Sequence, residues 1–289
     1  MRIIGIICEY NPLHLGHARQ IRYLKERFED CAVVCLMSGN FVQRGAPAIL
    51  DKSLRAQAAL ASGADLVLEL PITYALSSAE GFAAGGVRIL SGFCDGLCFG
   101  SESGDARALM AVARQLLSEE YTQSLRSQLE KGLSFPAARQ AALGEMGSLV
   151  CRPNDILATE YCKAIIAQGS AMEPLPILRP GSYHDEVPDG DNPSATAVRK
   201  QMLEKQDWAP FVPENVRGIF DGAPVHTIAN GEKAMLYRLR TMTDEEFEDL
   251  PYGSEGLWRK LMHASRGCAA LEEILTATKS KRYGPFKLA

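Results

Sequence analysis

Four short, almost continuously apolar segments constrain the fold of this chain more than any other feature. They read RIIGIIC (2–8), CAVVCLM (31–37), DLVLEL (65–70) and DGLCFG (95–100). Strands that are buried on both faces of a parallel sheet have this pattern, whereas half-exposed strands alternate apolar and polar residues. Segments with helical periodicity lie between them. The alternation predicts a doubly wound α/β fold with a parallel sheet.

The rest of the chain extends this pattern and then changes character. EPLPILRPGSYHD (173–185) predicts a last strand and a loop, and DNPSATAVRKQM (191–202) predicts a polar loop that runs into a helix. Beyond about residue 205 the helical segments are shorter. We therefore predict an α/β domain over 1–204 and a helical C-terminal region over 205–289. In the first domain we expect helices over about 16–29, from Asp51, over about 77–91 and from Asp105.

The composition excludes some classes of protein. The chain has 289 residues, of which 46% are apolar and 23% charged, as in ordinary globular proteins. No apolar run reaches the ~20 residues of a membrane helix, and the first residues lack the pattern of a signal peptide. We therefore expect a cytoplasmic protein that does not contact membranes. The net charge of −4 argues against a uniformly basic surface for nucleic acid, but it permits a local basic patch.

Eight cysteines are spread along the chain, and most lie in apolar segments. No two form a Cys-x-x-Cys pair, and none joins a histidine at zinc-finger spacing. We therefore expect reduced, buried thiols. Their positions are Cys8, Cys31, Cys35, Cys94, Cys98, Cys151, Cys162 and Cys268.

Polar, glycine-bearing loops follow three of the four apolar segments. These loops are EYNPLHLGH, SGNFVQRGAPA and GSESGD. The carboxyl ends of parallel strands meet at one edge of the sheet, where α/β proteins bind ligands. The three loops therefore predict a binding site at that edge.

Two of the five histidines lie in the first of these loops, and three explanations are open for His14 and His17. A zinc site of the HExxH type has histidines four apart, whereas these are three apart, and only His184 offers a third ligand. The rings could also merely cap a helix. The third explanation is an anion site: Gly16 opens room beside the backbone, Pro12 fixes the turn, and a helix N-terminus attracts negative charge.

The sequence NPLHLGH resembles the HxGH signature of the HIGH nucleotidyltransferase superfamily. A second superfamily motif resembles NPSATAVR (192–199), which keeps Ser194, Thr196 and Arg199 but has Ala195 in the middle. This resemblance implies a Rossmann-like, ATP-binding nucleotidyltransferase domain. It also implies that Arg199 holds a polyphosphate.

A larger set of segments resembles one family in particular, the tRNA(Met) cytidine acetate ligases. The resemblance covers about residues 2–282. It rests on GIICEYNPLHLGH, MSGNFVQRGAPAILDKSLRAQAAL, GADLVLELP, CFGSESGD, RPNDILATEY and SATAVRK. It implies an enzyme that uses ATP to convert acetate into acetyl-adenylate and then acetylates N4 of the wobble cytidine of elongator tRNA(Met). Mg²⁺ is expected to accompany ATP, and no protein partner is evident.

The resemblance also assigns roles to single residues. His14, His17 and Arg199 are implied to be catalytic. The implied ATP contacts are Ile7, Glu9, Tyr10, Asn11, Pro12, Gly16, Gln20, Gly100, Asn154, Arg179, Ser194 and Thr196. Few groups that transfer protons are needed, because such chemistry depends mostly on positioning and electrostatics.

Two interpretations stay open for the loop SGNFVQRGAPAILDK. Asn40, Gln43 and Arg44 are candidates to face the substrate and Lys52 to face phosphate. Alternatively the glycines make a turn and Asp51 caps a helix. Glu102 either has a functional role or only contacts a helix dipole. We expect Tyr183 and His184 to lie in a surface loop.

The C-terminal region departs from the family, whose members usually continue beyond the point where this chain ends. We expect a complete adenylation site and a shortened RNA-binding lobe. Two other functions stay open: an adenylyltransferase for a phosphorylated small molecule, and a nucleotide-binding protein without tRNA activity. The basic residues of this region, a candidate tRNA surface, are Arg238, Arg240, Arg259, Lys260, Arg266, Lys279, Lys281 and Arg282.

Overall fold

Five parallel strands form a single sheet in a computed structural model of the chain, which describes residues 1–179, 193–250 and 256–279. Their order across the sheet is β3-β2-β1-β4-β5. The predicted doubly wound parallel sheet is therefore confirmed. The strands are β1 Arg2–Cys8, β2 Cys31–Ser38, β3 Leu66–Leu70, β4 Gly96–Ser101 and β5 Glu173–Leu178.

Helices flank the sheet and make up the C-terminal region. None of the described helices is long and apolar enough to cross a lipid bilayer. Short 3₁₀ segments cover Gly144–Val150 and Ala209–Phe211. The α-helices are α1 Leu15–Arg27, α2 Lys52–Ala61, α3 Ile72–Ala75, α4 Ala79–Leu90, α5 Ala106–Leu116, α6 Glu119–Glu130, α7 Phe135–Leu143, α8 Pro153–Ala167, α9 Ala195–Leu203, α10 Glu214–Phe220, α11 Ile228–Thr241, α12 Asp244–Glu248, α13 Leu257–Gly267 and α14 Leu271–Thr278.

Side-chain caps start the helices that the sequence predicts from Asp51 and Asp105. The Asp51 carboxylate accepts the amide of Ser53 at 2.8 Å, and that of Asp105 accepts the amide of Arg107 at 2.9 Å. Both predicted starts are confirmed, because these oxygens satisfy amides that lack a partner within the helix. The helix predicted over 77–91 begins where Ser78 caps it, and the short α3 precedes it.

The sheet is covered on both faces, which explains the apolar runs. On one face, Ile4 and Ile6 of β1 pack with residues of α1, α2, α9 and α10. On the other face, Ile7 packs with residues of α4, α5 and α8. Successive strand residues point to opposite faces, so a strand covered on both sides needs apolar residues at almost every position.

The described residues divide into two compact units. The first comprises Met1–Gln43 and Ala48–Val225, and the second comprises Arg44–Pro47 together with residues from His226 onward. In the second unit, Met242, Phe247 and Met262 form a small buried cluster. The domain boundary that we placed near residue 205 stays a prediction.

The cysteines follow the prediction only in part. All eight are free thiols, and five of them are buried. Cys151, however, is exposed, and Cys31 and Cys268 are half-buried. Cys151 lies between the 3₁₀ segment and α8, where the chain turns at the surface.

Candidate active site

The centre of the sheet provides a crevice for a ligand. The chain runs from β1 outward to β3 on one side and then returns to place β4 on the other side of β1. The carboxyl ends of β1 and β4 therefore flank the point where the strand order reverses. In open α/β sheets this is the usual position of a ligand. The loop with both histidines follows β1, and residues 102–105 follow β4.

His14 and His17 cap the start of α1 in a reciprocal arrangement. The Nδ1 atom of His14 accepts the amide of Gly16 at 3.1 Å, and Nδ1 of His17 accepts the amide of His14 at 3.4 Å. The two rings lie with their centroids 3.8 Å apart. Histidine thus fills both places of a capping box, which Ser or Thr and Glu or Gln fill more often.

The caps decide which nitrogen of each ring carries a proton. An Nδ1 atom that accepts a hydrogen bond has no proton, so the neutral ring carries its hydrogen on Nε2. Burial lowers the pKa of His14 to about 3, and the neighbouring guanidinium groups of Arg179, Arg19 and Arg199 act in the same direction. Burial, with His14 and Arg179, also lowers the pKa of His17. Both rings are therefore neutral Nε2–H donors at physiological pH.

The Nε2 atom of His14 points to a missing ligand. The side chain is 0% exposed, and this atom meets no hydrogen-bond partner among the described residues. Buried polar atoms are almost always satisfied, by protein, water or a ligand. Together with the positive end of the α1 helix dipole, the donor suits an anion.

Arg199 connects the second motif to the histidine loop. Its guanidinium donates to the backbone carbonyl of Asn11 at 2.6 Å and to the hydroxyl of Thr196 at 3.0 Å. The Oγ atom of Ser194 accepts the amide of Ala197 at 3.0 Å and caps α9. The start of α9 therefore lies beside the start of α1, as a shared phosphate site requires.

Arg179 reaches the same region across Gly100. A Cβ atom added to Gly100 would lie 3.3 Å from Cδ of Arg179, and the Arg179 amide donates to the carbonyl of Ser101 at 2.8 Å. The absent side chain of Gly100 thus gives the arginine its path over the sheet edge. The ATP contact implied for Gly100 stays a prediction.

Asp155, which the sequence analysis missed, locks the β4 loop to α8. Its Oδ1 accepts the amides of Glu102 at 3.0 Å and Ser103 at 3.2 Å, while Glu102 accepts the amides of Asn154 at 3.1 Å and Asp155 at 2.7 Å. Glu102 therefore caps the helix, in agreement with the helix-dipole alternative. It also accepts the side-chain amide of Asn154 at 2.7 Å, which fixes that group at the site edge.

Arg55, also missed, ties the loops after β1 and β2 together. The side chain is 0% exposed, and its guanidinium donates to the carbonyls of Leu50 at 3.0 Å, Ser38 at 3.2 Å, Glu9 and Gly39. One side chain thus satisfies four backbone acceptors from three segments. The sequence predicts only that Arg55 lies in the helix that begins after Asp51, and not that its side chain is buried.

Several predicted ATP contacts turn their side chains into the protein. Ile7 packs in the core beneath α4, and the hydroxyl of Tyr10 lies 3.4 Å from Sγ of Cys35. The Gln20 amide donates to Sγ of Cys98 at 3.3 Å. Pro12 is buried. These residues shape the loop and the floor beneath it.

The predicted substrate-facing residues are brought together only in part. Gln43 donates its amide to Glu9 at 2.8 Å, next to the site. Lys52, however, pairs with Glu69 at 2.7 Å, and Asn40 accepts the Lys52 amide at 3.1 Å. Arg44 groups with the second compact unit. Tyr183 and His184 lie outside the described residues, and all these roles stay predictions.

Most of the basic residues that we proposed as a tRNA surface have partners within the second unit. Arg238 pairs with Glu246 at 2.7 Å, and Arg266 pairs with Asp244 at 2.5 Å. Arg240 donates to two backbone carbonyls and Lys260 to one. Arg259 lies over the Trp258 ring. Lys281 and Arg282 fall outside the described residues.

Comparison with known proteins agrees with this geometry. A family model described as HIGH Nucleotidyl Transferase matches residues 1–289. A curated tRNA(Met) cytidine acetate ligase from Clostridium novyi is 38% identical, with 100% of this chain and 77% of that protein covered. One from Clostridium acetobutylicum is 36% identical, with 98% and 76% covered.

Two crystal structures of Thermotoga maritima TmcAL have the same fold. The apo form I structure superimposes with a TM-score of 0.91, and the structure bound with alpha-thio ATP with 0.88. Both are 34% identical and cover 100% of this chain and 73% of their own. The present chain thus spans about three quarters of the length of these relatives.

Replacement of Arg55 by methionine is expected to lower the free energy of unfolding by about 3 kcal/mol or more, because several buried carbonyls lose their donor. Chemical denaturation measures this. The same change at the exposed Arg88 of α4 is the control and is expected to stay within ~0.5 kcal/mol. Equal stability of the two variants would show that the buried guanidinium does not hold the loops.

The two rings are expected to stay neutral, with the proton on Nε2, from pH 7.5 to pH 5. Nitrogen-15 NMR of labelled histidines distinguishes the two ring nitrogens, and the variants His14→Asn and His17→Asn identify the signals. A depressed pKa also means that the unfolded chain binds protons first, so stability falls as pH drops below ~6.5. A proton on Nδ1, or titration above pH 6, would contradict the capping arrangement.

Proposed function

This chain belongs to the HIGH nucleotidyl transferases and, among them, to the tRNA(Met) cytidine acetate ligase family, and from this premise we propose its reaction. The chain binds ATP, activates acetate as acetyl-adenylate and transfers the acetyl group to N4 of the wobble cytidine of elongator tRNA(Met). Because tRNA is the acceptor, we place the reaction in the cytoplasm. Acetyl-CoA is not required, since ATP supplies the activation.

In the first step a carboxylate oxygen of acetate attacks the α-phosphorus of ATP. A new P–O bond forms, the bond to the bridging oxygen breaks, and pyrophosphate leaves. In the second step the N4 amine attacks the acetyl carbonyl, AMP leaves, and the amine loses a proton. Neither step requires a covalent enzyme intermediate, so the protein acts through position and charge.

The observation that carries this proposal is the pair of Nε2–H donors at the start of α1. Negative charge builds on the oxygens of the α-phosphate as acetate attacks. His14 and His17 donate to those oxygens, and their Nδ1 caps hold both rings in place beforehand. Donors that are positioned before the reaction stabilise developing charge without the cost of reorganisation.

The arginines then serve the leaving group. Arg199 spans the starts of α1 and α9, and with Thr196 and Ser194 it holds the pyrophosphate. Arg179, which crosses Gly100, lies near enough to both histidines to lower their pKa values and supplies a further positive charge. A guanidinium suits this task because its planar fork matches phosphate oxygens.

Mg²⁺ is expected to arrive with ATP. The described residues contain no cluster of three or more His, Cys, Asp or Glu side chains that could hold a metal ion. Mg²⁺ that accompanies a nucleotide usually takes most of its ligands from phosphates and water, with at most one or two carboxylates from the protein.

Exchange of radiolabelled pyrophosphate into ATP tests the first step without tRNA. We expect exchange that depends on acetate, and acetylcytidine after elongator tRNA(Met) is added. Exchange that needs a phosphorylated small molecule instead of acetate would indicate the adenylyltransferase alternative. Binding of ATP without any exchange would indicate a protein without this activity.

The variants His14→Asn and His17→Asn test the histidine roles specifically. The oxygen of each asparagine can still accept the capping amide, as Asn230 does at the same place of α11, so the helix start is preserved. The shorter side chain places no N–H group where the imidazole carried its Nε2–H donor. Each is expected to lower acetate-dependent exchange by about 10²- to 10³-fold, as loss of one preorganised donor does. Thermal melting controls for folding. Wild-type exchange in either folded variant would remove that histidine from the mechanism.

A further inference from the structure

A groove lies along α1, the helix whose N-terminus the two histidines cap. Its volume is about 650 Å³. Leu15, Ala18, Arg19 and Arg22 of α1 line one wall, and residues 213–215 at the start of α10 line the other. Leu15 and Ala18 directly follow His14 and His17 in the sequence. The groove therefore begins beside the residues to which we assign acetyl-adenylate formation.

Two arginines make the α1 wall of the groove basic, whereas the exposed Glu214 places a carboxylate on the opposite wall. A phosphate in the groove is therefore expected on the α1 side. Arg19 and Arg22 are exposed and lie three residues apart, so they occupy one face of the helix. Farther along, Tyr23 is 41% exposed, and the Arg27 guanidinium lies 5.8 Å from its ring centroid. The surface thus combines guanidinium groups with an exposed aromatic ring, the pair of features that RNA strands contact.

The groove itself fits one nucleotide. Leu15, Ala18 and Pro213 give an apolar floor, against which the face of a base can pack. Asn215 lies on the opposite wall, where its amide nitrogen donates to the carbonyl of Ala61 at 2.6 Å and so holds the side chain in place. A base edge or a ribose can use such a fixed polar group, and a phosphate can use the arginines.

We propose that this groove binds one nucleotide of the tRNA strand that carries the target cytidine, with its phosphate on the Arg19 and Arg22 side. The proposal rests on the proposed function and names the RNA surface that serves it. An RNA strand held here lies beside the N-terminus of α1, where the activated acetyl group forms.

The variant Arg22→Glu tests the groove, with Arg88→Glu as the matched control. Both arginines are exposed on helices and both changes alter the charge equally, but Arg88 lies on α4, which covers the opposite face of the sheet. Binding of fluorescently labelled elongator tRNA(Met) is measured by anisotropy over a range of salt concentrations. We expect Arg22→Glu to weaken binding about tenfold and to reduce the salt dependence by about one phosphate contact. Arg88→Glu is expected to stay within about twofold of wild type.

Acetate-dependent pyrophosphate exchange without tRNA separates the possible failures. If Arg22→Glu exchanges pyrophosphate at the wild-type rate but binds RNA weakly, the result supports the proposed role of the groove. If the wild type shows no exchange but Arg22→Glu still weakens RNA binding selectively, the proposed function fails and the groove stands. The proposal that the groove binds RNA would be overturned if Arg22→Glu and Arg88→Glu affect RNA binding equally, or if the wild type does not bind RNA.

Discussion

The reciprocal cap between His14 and His17 is the interaction on which the proposed chemistry depends. The Nδ1 atom of each ring accepts a hydrogen bond from a backbone amide at the start of α1. The Nε2–H group of each ring can therefore donate to another partner. A capping residue usually satisfies the helix and nothing more. Histidine has a second nitrogen on the far side of the ring, and it can therefore cap the helix and donate to a ligand at once.

The charges around this cap favour the neutral form of both rings. Burial lowers the pKa of His14 most, and the positive charges of Arg179, Arg19 and Arg199 act in the same direction. The same field that disfavours an imidazolium favours an anion. In the proposed site, Arg179, Arg199 and the two neutral donors therefore suit a phosphate, and protonated histidine is not needed.

The parts of this structure that depend on local pattern could be predicted from the sequence. Apolar runs predicted the parallel strands because burial on both faces demands them at every position, and the aspartates predicted helix starts because capping is local. Arg55 could not be predicted, since a buried guanidinium that bonds only to carbonyls leaves no charged partner in the sequence. The sequence also did not show that Lys52 pairs with Glu69 or that Asp155 locks the β4 loop. These contacts join residues that are far apart in the chain.

A crystal structure with a sulfamoyl analogue of acetyl-adenylate, in which the sulfonyl group replaces the α-phosphate, tests the central claim most directly. The account predicts that Nε2 of His14 and Nε2 of His17 each lie about 2.7–3.2 Å from a sulfonyl oxygen while both Nδ1 atoms still accept their capping amides. Rings that bind the analogue through Nδ1, or a sulfonyl group that lies away from both rings, would contradict it.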